Sequence, residues 1–158
     1  MKDDARAIVD LFETVSLGAP QHAVGFVMWR VMHRYIREVD QVLRPFDLTH
    51  LQFTTLTLVA WMARSGETSN QSELARFGDI HPMQVSNLLK ALERKKMVQR
   101  APAPGNALAK YIAITPDGVS AIRKVLPLVI GIQDRLFGAE GRPGGSLLNL
   151  LVRIDALV

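Results

Sequence analysis

The 158-residue sequence predicts a mainly α-helical protein carrying a two-stranded β-hairpin. Three observations lead there. Apolar residues recur at steps of three and four over most of the chain, the spacing that draws a stripe along a helix. Several segments open on a capping residue followed at the right distance by Gln, Glu or Pro. Residues 97–115 instead read as two short extended runs around a Pro/Gly/Asn-rich connection.

Residues 1–16 form a first short helix with Ile8, Val9, Leu11, Phe12 and Val15 as its apolar residues, broken by "LGAP" at 17–20. A long helix follows from about His22 to Arg44. Met28, Val31, Met32, Tyr35, Ile36, Val39, Val42 and Leu43 make its stripe, and Pro45 stops it. Thr49 with Gln52 forms a capping box for the next helix, which runs to about Arg64 and ends at "SGE". Asn70 with Glu73 repeats the device for a short helix closing at Gly78. His81 precedes Pro82, and a residue before proline avoids helical backbone angles. His81 is therefore the cap and Pro82 the first helical residue, where its missing N–H costs nothing.

The helix from Pro82 reaches about Lys96. Val85, Leu88, Leu89 and Leu92 fall on one side, leaving Gln84, Asn87, Lys90 and Arg94 on the other. "MVQRAP" and "KYIAIT" are the strands, joined by "APGNALA". Thr115 caps a further helix with Pro116 first inside it and a kink expected at Pro127. "GAEGRPGG" breaks the chain before a last apolar helix, "SLLNLLVRIDALV".

Two helices joined by a tight turn and followed by a hairpin make a winged helix-turn-helix with a two-stranded β-wing. The expected division is residues 1–44 as N-terminal dimerisation helices, 45–118 as the winged lobe, and 119–158 as C-terminal dimerisation helices. The flanking helices carry more apolar surface than so small a lobe covers. A symmetric homodimer burying them is the simplest remedy.

Composition narrows the function. No apolar run approaches the roughly 20 residues of a membrane span, so no membrane partner is expected. The N-terminus has acidic residues and no apolar core after a basic start, unlike a secretory signal, which points to the cytoplasm. Without cysteine there is no disulfide, thiolate metal site or thiol switch. The net charge is +4, and its distribution says more: between Arg76 and Lys110 lie seven basic residues against Asp79 and Glu93. No phosphate-binding glycine loop, HExxH, GxSxG or cysteine nucleophile is present, so neither an enzyme nor a cofactor is expected. The four histidines are scattered and form no metal-spaced pair.

The stretches "LTHLQFTTLTLVAWM" at 48–62, "NQSELAR" at 70–76, "MQVSNLLKALERKKMVQR" at 83–100 and "IAITPDG" at 112–118 resemble the MarR (multiple antibiotic resistance regulator) family of bacterial transcription factors. With the helices between and after them, the resemblance spans about residues 24–138. It implies a dimeric regulator that binds a short inverted repeat. The second helix of the motif would enter the major groove and the wing an adjacent minor groove. It also implies release from DNA when a small ligand, often a phenolic or aromatic acid, binds between the dimerisation helices and the DNA lobe. The sequence departs from the family at the wing, where Asn106 and Leu108 stand for the usual Asp and Arg, and at the turn after the recognition helix, where Lys96 replaces Gly.

The major groove displays a distinct donor and acceptor pattern for each base pair. Gln84 and Asn87 both give and accept hydrogen bonds and suit adenine. Ser86 is a secondary base-reading candidate, and Lys90 suits guanine or a phosphate. Arg76, Arg94, Lys95, Arg100 and Lys110 suit the backbone, where contacts set register and affinity without reading sequence. Trp29 and Arg37 each lie one turn from His33, and the three are candidates for a ligand crevice, although histidine packing at a helix interface or under a partner chain accounts better for His33. Methionines on the helical stripes read as core or dimer packing. A second functional reading remains open: a ligand-binding or protein-interaction module on the same fold that has lost DNA recognition, with Leu108 in place of the wing Arg as its support.

Overall fold

The computed structural model describes residues 2–64, 70–103 and 106–157. In chain order it contains α1 (Lys2–Thr14), α2 (Val24–Leu43), α3 (His50–Ala63), α4 (Gln71–Phe77), α5 (Pro82–Arg94), β1 (Val98–Ala103), β2 (Asn106–Ile114), α6 (Pro116–Phe137) and α7 (Ser146–Asp155). Short 3-10 turns precede α2, follow α2 and join α6 to α7. The fold is a mainly α winged helix-turn-helix, as the pattern predicts. The chain divides into two compact units, one through Glu38 and one from Val39 onward. None of the described helices is long and apolar enough to cross a membrane.

The helix starts follow from local chemistry. The Gln52 N–H donates to Thr49 Oγ1 and the Thr49 N–H to Gln52 Oε1, both at 3.3 Å. Asn70 and Glu73 make the same reciprocal pair at 3.0 and 2.9 Å. Each box satisfies two backbone donors that a helix start leaves unpaired. Before α5, His81 Nδ1 accepts from the Met83 N–H at 3.3 Å, with Pro82 in the first turn. Before α6, Thr115 Oγ1 accepts from the Gly118 N–H at 3.1 Å. α6 continues through Pro127 as a single helix.

The second unit is built around Leu43, Leu56, Leu74, Val85, Leu89, Leu92 and Val125, all fully buried. Val98 and Ile112 bring the root of the hairpin into the same core. Gly118 has a steric role: a Cβ there would lie 2.2 Å from the Met97 carbonyl oxygen. Its absence lets the first turn of α6 sit directly on the turn that leaves α5.

The hairpin pairs Val98 with Ile114, Arg100 with Ile112 and Pro102 with Lys110, then slips in register so that Ala103 faces Asn106. The second strand thus begins at Asn106, four residues before the expected Lys110. Pro102 has no N–H to give the ladder, and the slip beside it absorbs the unequal strand lengths. Residues 104–105 of the connection, and the expected break at "SGE" (65–67), lie outside the described residues.

α5 ends in a paired carbonyl lock. The Met97 N–H donates to the Leu92 carbonyl at 3.0 Å and the Lys96 N–H to the Glu93 carbonyl at 2.9 Å. Such an ending needs a left-handed residue, usually glycine. Here Lys96 takes it, with φ 58°.

Candidate nucleic-acid interface

α5 exposes one face because its other face is committed. Val85, Leu89 and Leu92 are fully buried, and Leu88 is half-buried. With 3.6 residues per turn, this orientation turns Gln84, Asn87, Lys90 and Arg94 outward, and all four are exposed. Ser86 is half-buried, which makes it the least available of the base-reading candidates. Asn87, Lys90 and Arg94 line one shallow concavity together with Glu93. Gln71 Nε2 donates to the Pro82 carbonyl at 3.2 Å, tying α4 to the first turn of α5. These contacts hold the helix while leaving its polar face open.

The backbone candidates separate. Arg76 is exposed on α4 and lines a concavity at the α4–α5 turn with Ser72, Asp79 and His81. Arg94 is exposed at the end of α5. Lys95 turns inward: its ammonium donates to the Asp47 carbonyl and, at 3.0 Å, to Gln52 Oε1, and lies 3.2 Å from Asp47 Oδ2. The Arg100 Nε lies 3.5 Å from Glu93 Oε1. The side chains of Asn106, Leu108 and Lys110 lie outside the described residues.

Sequence reasoning passes over Ser72 and His81 as groups beside Arg76, and Met83 at the start of α5 stands 70% exposed. The available signal is position: all three sit on or next to the helix–turn–helix corner. At the start of α3, the His50 N–H donates to Asp40 Oδ1 at 2.8 Å. Burial holds the His50 imidazole below its usual pKa, with nearby Asp40 partly offsetting this.

In the first unit, Trp29, His33 and Arg37 line one open groove of about 360 Å³ on α2, joined by Val27, Arg30 and Arg34. His33 Nδ1 is 2.8 Å from the Trp29 carbonyl and the two rings lie 4.3 Å apart. Phe26 stacks on Trp29 at 6.0 Å. Among the described residues, no group of three His, Asp or Glu side chains is placed to hold a metal ion.

The MarR family model matches residues 48–107, which run from the α3 cap to the start of β2. The HTH-type transcriptional regulator YdcH of Bacillus subtilis (strain 168) is 33% identical over 131 residues, covering 83% of this chain and 89% of its own. The chain belongs to the MarR family. It is a MarR-family transcriptional regulator, a class of proteins that are not enzymes. Among solved structures, CouR from Rhodococcus jostii RHA1 bound to p-coumaroyl-CoA is similar with a TM-score of 0.73 and 27% identity, covering 88% of this chain and 92% of that one. MepR of S. aureus, solved with DNA, shares the fold with a TM-score of 0.74 and 23% identity, covering 89% of this chain and 100% of that one.

Proposed function

We propose that this MarR-family chain acts as a homodimeric repressor that binds a short inverted repeat in double-stranded DNA. A small aromatic acid, free or as its CoA thioester, relieves the repression. The observation that carries the reading is the face of α5: Gln84, Asn87 and Lys90 stand exposed on a helix whose opposite side packs Val85, Leu89 and Leu92 into the core. Such a helix fits a major groove, and its amide side chains match the paired donor and acceptor of adenine. Arg76 and Arg94 supply phosphate contacts at its flanks. MepR, which shares this fold, is solved with DNA. Binding the chromosome would place the protein in the cytoplasm.

Dimerisation is supported by exposed apolar residues on α1 (Ile8, Val9, Leu11, Phe12) and α7 (Leu150, Leu151, Val152, Ile154). Surface of that kind marks a protein interface. The effector reading rests on the α2 groove, where Trp29 and His33 offer ring faces and Arg30, Arg34 and Arg37 offer cationic donors. Guanidinium groups suit a carboxylate or a phosphate, and CouR is solved with p-coumaroyl-CoA.

The test is selection of preferred duplexes from a random pool with the full chain. The expected result is a two-fold symmetric site whose half-sites are about 34–36 Å apart, one turn of DNA. An unenriched pool, or an asymmetric site, would overturn the reading. Affinity for the selected duplex should also fall steeply with salt as counterions are released.

A further inference from the structure

We propose that Lys95 is a positioning residue for the DNA-reading helix and makes no phosphate contact itself. The inference rests on the reading of α5 as the DNA-binding helix. Lys95 is the residue on which α5 ends, and its side chain is only 22% exposed. An ammonium group has three N–H donors and no acceptor. That of Lys95 donates to the Asp47 carbonyl and to Gln52 Oε1, and Asp47 Oδ2 lies 3.2 Å away as an ion-pair partner, so its contacts are inside the protein. Two of its three donors are spent on fixed acceptors of the fold, and the ammonium is drawn toward them and away from a phosphate.

The acceptors belong to one corner of the fold. Asp47 is the left-handed residue (φ 52°) that closes the turn after α2. Gln52 is the third residue of α3 and half of its capping box, so its Oε1 serves the Thr49 N–H and Lys95 together. The Asp47 carboxylate is 89% exposed, and a pair so open to solvent is weak. The hold therefore comes chiefly from the Asp47 carbonyl and Gln52, both fixed by backbone structure. On its other side, the same end of α5 is held by Thr115, whose hydroxyl donates to the Lys96 carbonyl at 2.6 Å and whose N–H donates to the Met97 carbonyl at 3.1 Å.

A helix clamped at one end reads bases at the other. Gln84 lies eleven residues before Lys95, or about 16 Å at 1.5 Å per residue, so a tilt of about 5° moves it by about 1.4 Å. That shift is enough to break a base hydrogen bond, whose length varies by only about 0.5 Å. The α2–α3 corner thus sets the reading geometry of a helix from which it is remote in sequence.

The experiment measures binding of the full-length protein to its selected duplex and to single-base variants across a salt series. Lys95→Met is expected to lose about fivefold or more of its discrimination at the outermost base pair read by α5. Its slope of log affinity against log salt should equal that of the wild type. Arg94→Ala, which removes an exposed cation, should flatten that slope by about 0.9 per protomer. Gln52→Met alters no charge yet should reproduce the Lys95→Met loss, whereas Thr49→Ala, which removes the cap hydroxyl alone, should not. Lys95→Arg, which keeps the donors, should restore discrimination. A slope flattened by Lys95→Met as much as by Arg94→Ala would make Lys95 a phosphate ligand and overturn the proposal. So would full discrimination in Gln52→Met, an outcome that stays informative even if Lys95→Met does not fold. Failure of the wild type to bind any duplex removes the DNA-binding reading and this role with it, and that result precedes the variants.

Discussion

α5 and α7 are both short helices with an apolar stripe, and the second unit treats them in opposite ways. α5 sinks Val85, Leu89 and Leu92 completely and presents amides and cations to solvent. α7 buries no residue and leaves Leu150, Leu151, Val152 and Ile154 at 41–58% exposure. A helix whose apolar side is satisfied has a polar face to offer a polar partner. One whose apolar side is still wet lacks a protein surface. The same periodicity therefore points to DNA in one case and to a second copy of the chain in the other.

The most severe way to probe this contrast is to empty the committed face. Leu89→Ala should lower the free energy of unfolding by about 2–5 kcal/mol, the range for a buried leucine that leaves a cavity. Leu151→Ala, at a position 41% exposed, should cost under about 1 kcal/mol in protein dilute enough to be monomeric. Equal losses in a denaturant titration would erase the distinction between the two helices.

Charging the uncommitted face comes next. The double change Leu151→Glu with Ile154→Glu should shift the sedimenting species from dimer to monomer at micromolar concentration. Its helical circular dichroism should be retained, because neither side chain is buried in the chain alone. An unaltered sedimentation coefficient would remove α7 from the interface.

A finer probe separates reading from holding on the wet face of α5. Asn87→Ala should lose about 1–3 kcal/mol of discrimination at one base pair per half-site, while Arg94→Ala should weaken all sequences about equally. If Asn87→Ala selects the same preferred sequence from a random pool, that face has been assigned wrongly. The smallest effect concerns how α5 ends. Lys96 occupies a left-handed position at a cost of roughly 1–2 kcal/mol, which glycine avoids while losing about 0.5–1 kcal/mol in chain entropy. Lys96→Gly should therefore raise thermal stability slightly, by about 0.5 kcal/mol, and a lower midpoint in calorimetry would show that the lysine makes a compensating contact.

Much of the fold and of the reading face is legible in the residues alone. The caps at Thr49, Asn70, His81 and Thr115 are local: each depends on groups two or three residues apart, so spacing reveals them. The outward set Gln84, Asn87, Lys90 and Arg94 follows from helical periodicity in the same way. The early start of β2 escapes such reasoning because pairing depends on a register slip at Pro102, and register belongs to two strands at once. Lys95 and Arg94 are adjacent and carry the same charge, yet one is folded inward onto a carbonyl 48 positions away and the other faces solvent. Periodicity gives the direction, since Lys95 falls three residues after Leu92 on the buried side and Arg94 four after Lys90 on the wet side. It does not give the acceptors that Lys95 meets. Arg100 likewise reads as a surface cation and instead sits against Glu93.

By itself the sequence determined where helices begin and end, which residues each would bury, and the surplus of positive charge around the motif. These are consequences of backbone hydrogen-bonding needs and of side-chain periodicity, both short-ranged. The tertiary structure decided which cations face solvent and which acceptors hold the end of α5. A lysine's charge is a property of the residue, but whether its donors are already engaged depends on carbonyls and amides that only folding brings within about 3 Å.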